Sequence, residues 1–112
     1  MSIQELSHAD FSAFTQEHPL CVVYFSGPGC AVCKQLKPKL FELLDEAFPQ
    51  LGTAQVDCSQ EQSLAADQGV FTIPTLLVFI EGRETQRYAR SFSPAQVAAE
   101  LRRPYQLCFE AP

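Results

Sequence analysis

Hydrophobic and polar residues along the chain fall into blocks that predict strands and helices in turn. The run Leu20-Cys21-Val22-Val23-Tyr24-Phe25 is nearly all apolar and rich in β-formers, which predicts a central strand covered on both faces. Ser26-Gly27-Pro28-Gly29 breaks it. Upstream, Ser7 reads as an N-cap with Asp10 at N3, and Leu6 and Phe11 take the hydrophobic-staple positions. A helix is expected from about His8 to Glu17 with Phe11 and Phe14 inward. Downstream, Leu36, Leu40, Leu43, Leu44 and Ala47 recur at helical spacing, so a second helix should begin near Cys30 and end before Pro49. Pro38 lies inside it and should kink it. Extending the stripe back one turn lands on Cys33, which should therefore face inward, while Cys30 falls at the helix's N-terminal edge.

Gly52 to Asp57 reads as a second strand, and Ser59 with Gln62 as a capping box for a helix through about Gln68, stopped by Gly69. Thr75 to Ile80, a Glu81-Gly82 turn and Arg83 to Ala89 predict an antiparallel pair. Ser93, Pro94 at N1 and Gln96 at N3 open a last helix through about Arg103, where Pro104 should end it. The order β-α-β-α-β-α-β-β-α predicts an α/β fold, a central mixed sheet flanked by helices on both faces. One domain over residues 1–103 and a tail over 104–112 is the expected division.

Composition narrows the function classes. In a chain of 112 residues with 46% hydrophobic content, nine Phe can fill a modest core. A net charge of −5 argues against nucleic acid as the main partner. The apolar run Ile73 to Ile80 is far too short to span a bilayer, so no membrane partner is expected. Met1-Ser2-Ile3-Gln4-Glu5 has neither a basic nor an apolar leader region. The expected setting is therefore a reducing cytoplasm, and the expected state a monomer.

The candidate chemistry is Cys30-Ala31-Val32-Cys33, two cysteines three positions apart where a strand gives way to a helix. A helix N-terminus favours a thiolate, and Lys34 and Lys37 add positive charge nearby. Such surroundings lower a cysteine pKa from about 8.5 to about 7 or below. Cys30 is the nucleophile candidate and inward Cys33 the resolving thiol of a dithiol that cycles to a disulfide. Two other readings stay open here: half of a zinc site, or two unrelated core cysteines. A zinc site would need two more ligands, and there is no second Cys-x-x-Cys, while His8 and His18 lie well upstream. The remaining cysteines, Cys21, Cys58 and Cys108, make an odd total of five, unlike a secreted disulfide framework. Cys21 reads as core, Cys58 as core or a regulatory thiol, and Cys108 as an exposed tail thiol. Lys39 reads as part of a solvated helix face. Proline at the start of an apolar strand, in Thr72-Ile73-Pro74-Thr75, leaves the preceding backbone free to hold an extended peptide. About one X-Pro bond in twenty is cis, so proline alone does not predict that form.

Taken together, these features resemble the thioredoxin family over nearly all of residues 3–103. The resemblance rests on Cys30-Ala31-Val32-Cys33-Lys34 after a strand, Pro38 at the family's kink and Ile73-Pro74-Thr75 matching its cis-proline loop. Asp57, Gly82 and Ser93 match as well. It implies a thioredoxin fold, a cis Ile73–Pro74 bond and a thiol-disulfide oxidoreductase whose only redox group is the Cys30–Cys33 disulfide. It also implies protein disulfide substrates and a thioredoxin-reductase-like electron donor. Gly29, Thr72, Ile73, Pro74 and Arg90 would meet substrate, and Lys34, Lys37, Tyr24 and Asp57 would tune the thiols.

Departures from the family pattern are equally specific. The usual Trp-Cys-Gly-Pro-Cys is here Gly29-Cys30-Ala31-Val32-Cys33, and the chain has no tryptophan. The family's buried aspartate is Tyr24, a lysine on the adjacent strand is Thr53, and a glycine of the substrate face is Arg90. Tyrosine, with a normal pKa near 10, is a poor general base. The expectation is therefore that Cys30 still attacks, that resolution by Cys33 is slower, and that partners shift toward acidic surfaces near Arg90. An interaction module with a vestigial or regulatory dithiol is the alternative. Ile73, Val70 and the Gly27-Pro28-Gly29 loop would form a flat patch around Cys30, with Val70 equally readable as core.

Overall fold

In the computed structural model, which describes residues 3–110, the apolar run Leu20–Ser26 forms the middle strand of a five-stranded sheet. Met1, Ser2, Ala111 and Pro112, part of the leader and tail readings above, lie outside the described residues. The elements follow the order β1 (Gln4–Glu5), α1 (His8–Glu17), β2 (Leu20–Ser26), α2 (Ala31–Ala47), β3 (Gly52–Asp57), α3 (Gln62–Asp67), β4 (Thr75–Ile80), β5 (Arg83–Ala89) and α4 (Pro94–Tyr105). A π-helical turn, Gln106–Glu110, follows. Strand order is β1-β3-β2-β4-β5, with β1, β3 and β2 parallel and β4 antiparallel to both neighbours.

Because strand side chains alternate between faces, β2 serves two cores. Leu20, Val22 and Tyr24 pack with Leu40, Phe41 and Leu44 of α2 and Val97 and Leu101 of α4. Cys21, Val23 and Phe25 pack on the other face with Phe11 and Phe14 of α1 and Leu64 of α3. Cover on both faces is what the unbroken apolar run demands, and the expected mixed sheet with helices on both sides is present. The cap of α1 is also as expected, the Asp10 carboxylate accepting from the Ser7 hydroxyl at 2.9 Å and, more weakly, its backbone N–H at 3.5 Å. In the β4–β5 hairpin, Glu81 and Gly82 both have positive φ (50° and 83°), the signature of a two-residue hairpin turn.

Two element ends differ from expectation. The helix read as starting at Ser59 begins at Gln62, because Ser59 spends its N–H and hydroxyl on the Asp57 carboxylate at 2.9 and 2.6 Å. Nor does Pro104 end α4, which runs through it to Tyr105. Proline inside a helix costs about 3 kcal/mol. Buried Tyr105 offsets this by stacking between Phe48 and Phe109, each with its ring centroid 4.9 Å away, while its hydroxyl accepts the Gln50 N–H at 3.0 Å. Cys108 is consequently half-buried against Pro19 rather than exposed.

Gly52 at the start of β3 is required by a close approach. A Cβ there would lie 2.6 Å from His18 Cδ2 and 3.0 Å from Cys21 Cβ. The His18 ring cannot swing away freely, since its Nδ1 bonds the Phe14 carbonyl at 2.9 Å. Gly52→Ala should therefore destabilise the protein by about 1–3 kcal/mol in urea unfolding, and adding His18→Ala should recover part of that loss. Equal stability of Gly52→Ala and wild type would contradict the packing described.

Candidate active site

Strand register gathers the candidate residues at one end of the sheet. Ser26 pairs with Asp57, Phe25 with Thr75, and Thr75 with Ala89. The segments just beyond those ends, Gly27–Cys30, Cys58, Thr72–Pro74 and Arg90, therefore lie side by side. Cys58 N–H bonds the Ser26 carbonyl at 2.8 Å, and Arg90 N–H bonds the Pro74 carbonyl at 2.9 Å. A Cβ on Gly27 would sit 3.3 Å from Ile73 Cδ1, which puts the cysteine loop against the proline loop. The Ile73–Pro74 peptide is cis.

Cys30 is the N-cap of α2, and its Sγ accepts the Cys33 N–H at 3.2 Å. The two cysteines form a disulfide with Cα atoms 5.3 Å apart. Cys30 is partly exposed, whereas Cys33 is 2% exposed, on the inward stripe the helical spacing predicts. Their sulfurs sit at the positive end of α2, where a developing thiolate is stabilised. Lys34 is exposed on the first turn and Lys37 half-buried on the second. Lys37 faces a hollow shared with Glu42 and Asp45, away from Arg90.

Tyr24 occupies the position where the family pattern has an acid. It is fully buried, edge-on to Phe41 with centroids 5.7 Å apart, and its hydroxyl donates to the Cys33 carbonyl at 3.0 Å. Burial pushes its pKa up to about 12, so it stays a neutral donor. Asp57 lies at the same sheet end, but its carboxylate is held by Ser59, whose hydrogen bonds keep its pKa below the usual carboxylate value. Thr53 is buried and pairs with Val22, two residues before Tyr24 on β2. Thr72 accepts the Thr75 hydroxyl at 2.7 Å through its carbonyl. Among the described residues, nothing pairs with the Ile73 backbone N–H or C=O.

Two positions that depart from the family pattern have left-handed backbone. Gly29 has φ of 79°, a conformation that a tryptophan would adopt only under strain. Arg90 has φ of 67°, so an arginine stands in a left-handed conformation suited to glycine.

Sequence reasoning overlooked two residues here. Phe71, three positions before Pro74, is 82% exposed, while its neighbour Val70 is core. Arg87 of β5 donates to the Gln68 and Gly69 carbonyls at 2.7 and 3.0 Å and to Glu84, clamping the end of α3 that leads into the proline loop. The exposed aromatic was visible in Gly69-Val70-Phe71, but Arg87 carried no local signal because its partners are distant in sequence. Of the other thiols, burial raises the pKa of Cys21 to about 12 and pushes that of Cys58 up, with Asp57 adding to the latter. Neither is a ready nucleophile.

The sequence profile of the thioredoxin family matches residues 2–103. The chain belongs to the thioredoxin family. It is 35% identical to thioredoxin of Bacillus subtilis over 101 residues, covering 90% of this chain and 95% of that one. It is 36% identical to the thioredoxin-like protein YdfQ of the same organism over 94 residues, covering 84% and 83%. A protein disulfide-isomerase of Aspergillus oryzae is 36% identical over 78 residues, which are 69% of this chain and 15% of that protein. Among solved structures, a mutant thioredoxin from Halobacterium salinarum superposes with a TM-score of 0.82 at 18% identity, covering 99% of this chain and 94% of that one. That likeness establishes the thioredoxin fold. Family membership and the Cys30–Cys33 pair support thiol-disulfide oxidoreduction as the general chemistry, with the disulfide itself as the family's redox group. Among the described residues, no three His, Cys, Asp or Glu side chains gather as a metal site, and no helix is long and apolar enough to cross a membrane.

The conformation of Arg90 yields a direct test. Glycine there removes about 1–2 kcal/mol of left-handed strain. It gives back about 0.4–1 kcal/mol through unfolded-state entropy. Arg90→Gly should thus raise Tm by about 2–4 °C, and Arg90→Ala, which keeps the strain, should not. Equal Tm values for the two variants would contradict this account.

Proposed function

We propose that this thioredoxin-family protein reduces disulfides of other proteins. The observation that carries the reading is the division between its two sulfurs: Cys30 partly exposed on the N-terminus of α2, Cys33 buried behind it. The Cys30 thiolate attacks one sulfur of the substrate disulfide, that S–S bond breaks, and the departing thiolate takes a proton from water. Cys33 then loses its proton and attacks the Cys30 sulfur, releasing the second substrate thiolate and closing the Cys30–Cys33 disulfide. Substrate gains two electrons and two protons. A thioredoxin-reductase-like donor returns two electrons to the protein, which works as a monomer in the reducing cytoplasm.

Gly29, Thr72, Ile73, Pro74 and Arg90 form the docking face, where the unpaired Ile73 backbone adds the substrate segment as a short strand. Lys34, Lys37 and the end of α2 favour the Cys30 thiolate. Tyr24, neutral and already donating to the Cys33 carbonyl, takes no proton from Cys33, so the resolving step is slow. The same feature favours a second reading, an interaction module that holds partners through a long-lived mixed disulfide or a regulatory dithiol.

Insulin reduction followed by turbidity, with dithiothreitol as the recycling reductant, separates these readings. Wild type should turn over and Cys30→Ser should match the blank. Pre-reduced Cys33→Ser, mixed with insulin after dithiothreitol is removed, should stall as a mixed disulfide visible by mass spectrometry, and Tyr24→Asp should speed resolution by about tenfold or more. Wild-type turnover equal to the blank would sink the reductase reading and leave the binding module.

A further inference from the structure

Of the eight cations, five are arginines between residues 83 and 103. All three lysines lie between residues 34 and 39, in a chain of net charge −5. The first turn of α2 carries no acid. Beside the dithiol, a groove of about 440 Å³ runs between α2 and the turn joining β5 to α4. Its apolar floor comes from Val32, Leu36, Phe92 and Pro94, and its cations are Lys39 and Arg90. No carboxylate lines it, whereas two other surface hollows include Glu42, Asp45 and Glu46 or Glu81. Neither Lys39 nor Arg90 is ion-paired with a described residue.

The groove is continuous with the reacting centre on both sides. Val32 lies between the two cysteines and is 55% exposed, and the Arg90 N–H is bonded to the Pro74 carbonyl at 2.9 Å. Val32 and Arg90 thus adjoin both the groove and the dithiol and proline loops.

We propose that the groove selects protein disulfides whose reacting cysteine is flanked by an acidic segment with an apolar residue, the apolar side chain on the Val32–Phe92 floor and the carboxylates at Lys39 and Arg90. The inference rests on the disulfide-reductase reading and names its substrate class. Two unpaired cations over an apolar floor repel basic segments and desolvate little on pairing, so they discriminate by sign more than by raw affinity.

The test uses three symmetric peptide disulfides, each with Cys-Leu followed by two Glu, two Gln or two Lys. Reduced protein is mixed with each by stopped flow, and rates are divided by those for dithiothreitol to remove intrinsic reactivity. At low salt the Glu peptide should react about fivefold faster than the Gln peptide, and the Lys peptide slower than both. The preference should shrink toward unity in 1 M salt and reverse in the double variant Lys39→Glu/Arg90→Glu. Equal normalised rates for all three peptides would overturn the inference while leaving the reductase reading intact. An acidic preference undiminished in the double variant would also overturn it, by removing the groove as its source. Failure to reduce any peptide would remove the reductase reading, and the inference with it.

Discussion

The first turn of α2 depends on a hydrogen bond in which Cys33 N–H donates to Cys30 Sγ. A helix start leaves backbone N–H groups without partners, and this chain satisfies one of them with the Cys30 sulfur. A thiolate accepts such a bond better than a thiol does, so the cap that starts the helix also favours the nucleophile's charged form. The sheet supplies the rest. β2 delivers the cysteine loop, β4 begins at the proline loop beside it, and β5 ends at Arg90, so three strand ends meet at one end of the sheet.

Tyr24 shows how a core residue shapes that chemistry. An acid under the helix start would face an apolar surrounding made by Phe41, Leu76 and Tyr88, and its charged form would be expensive there. Tyrosine fills the same space with an aromatic body and satisfies its one polar atom on the Cys33 carbonyl. That bond ties the strand to the turn that holds Cys33. Tyrosine also leaves the second thiol without a proton acceptor among its buried neighbours.

Much of this was legible in the sequence because the signals were local. The unbroken apolar run gave β2 its central place, and Ser7 with Asp10 and Ser93 with Pro94 marked two helix starts. The inward position of Cys33 followed from helical spacing alone. What escaped depended on contacts distant along the chain. Ser59 looked like a cap until Asp57 claimed it, and Pro104 looked like a stop until Tyr105 found Phe48 and Gln50 across the core. Arg87 gave no sign that it would clamp the end of α3. The left-handed backbone at Arg90 went unread, since arginine itself argues against it.

On the proposed mechanism, the end of α2 makes Cys30 the most acidic thiol of the chain. Burial raises Cys21 to about 12 and pushes Cys58 and Cys108 above their ordinary values, so they contribute no thiolate near neutrality. Thiolate absorbance at 240 nm, followed against pH on the fully reduced protein, reports Cys30 together with Cys33, and the Cys30→Ser variant separates the two. The account predicts one thiolate titrating below the ordinary cysteine value of about 8.5 and its loss in Cys30→Ser. A titration with no thiolate below that value, or one unchanged in Cys30→Ser, would contradict it.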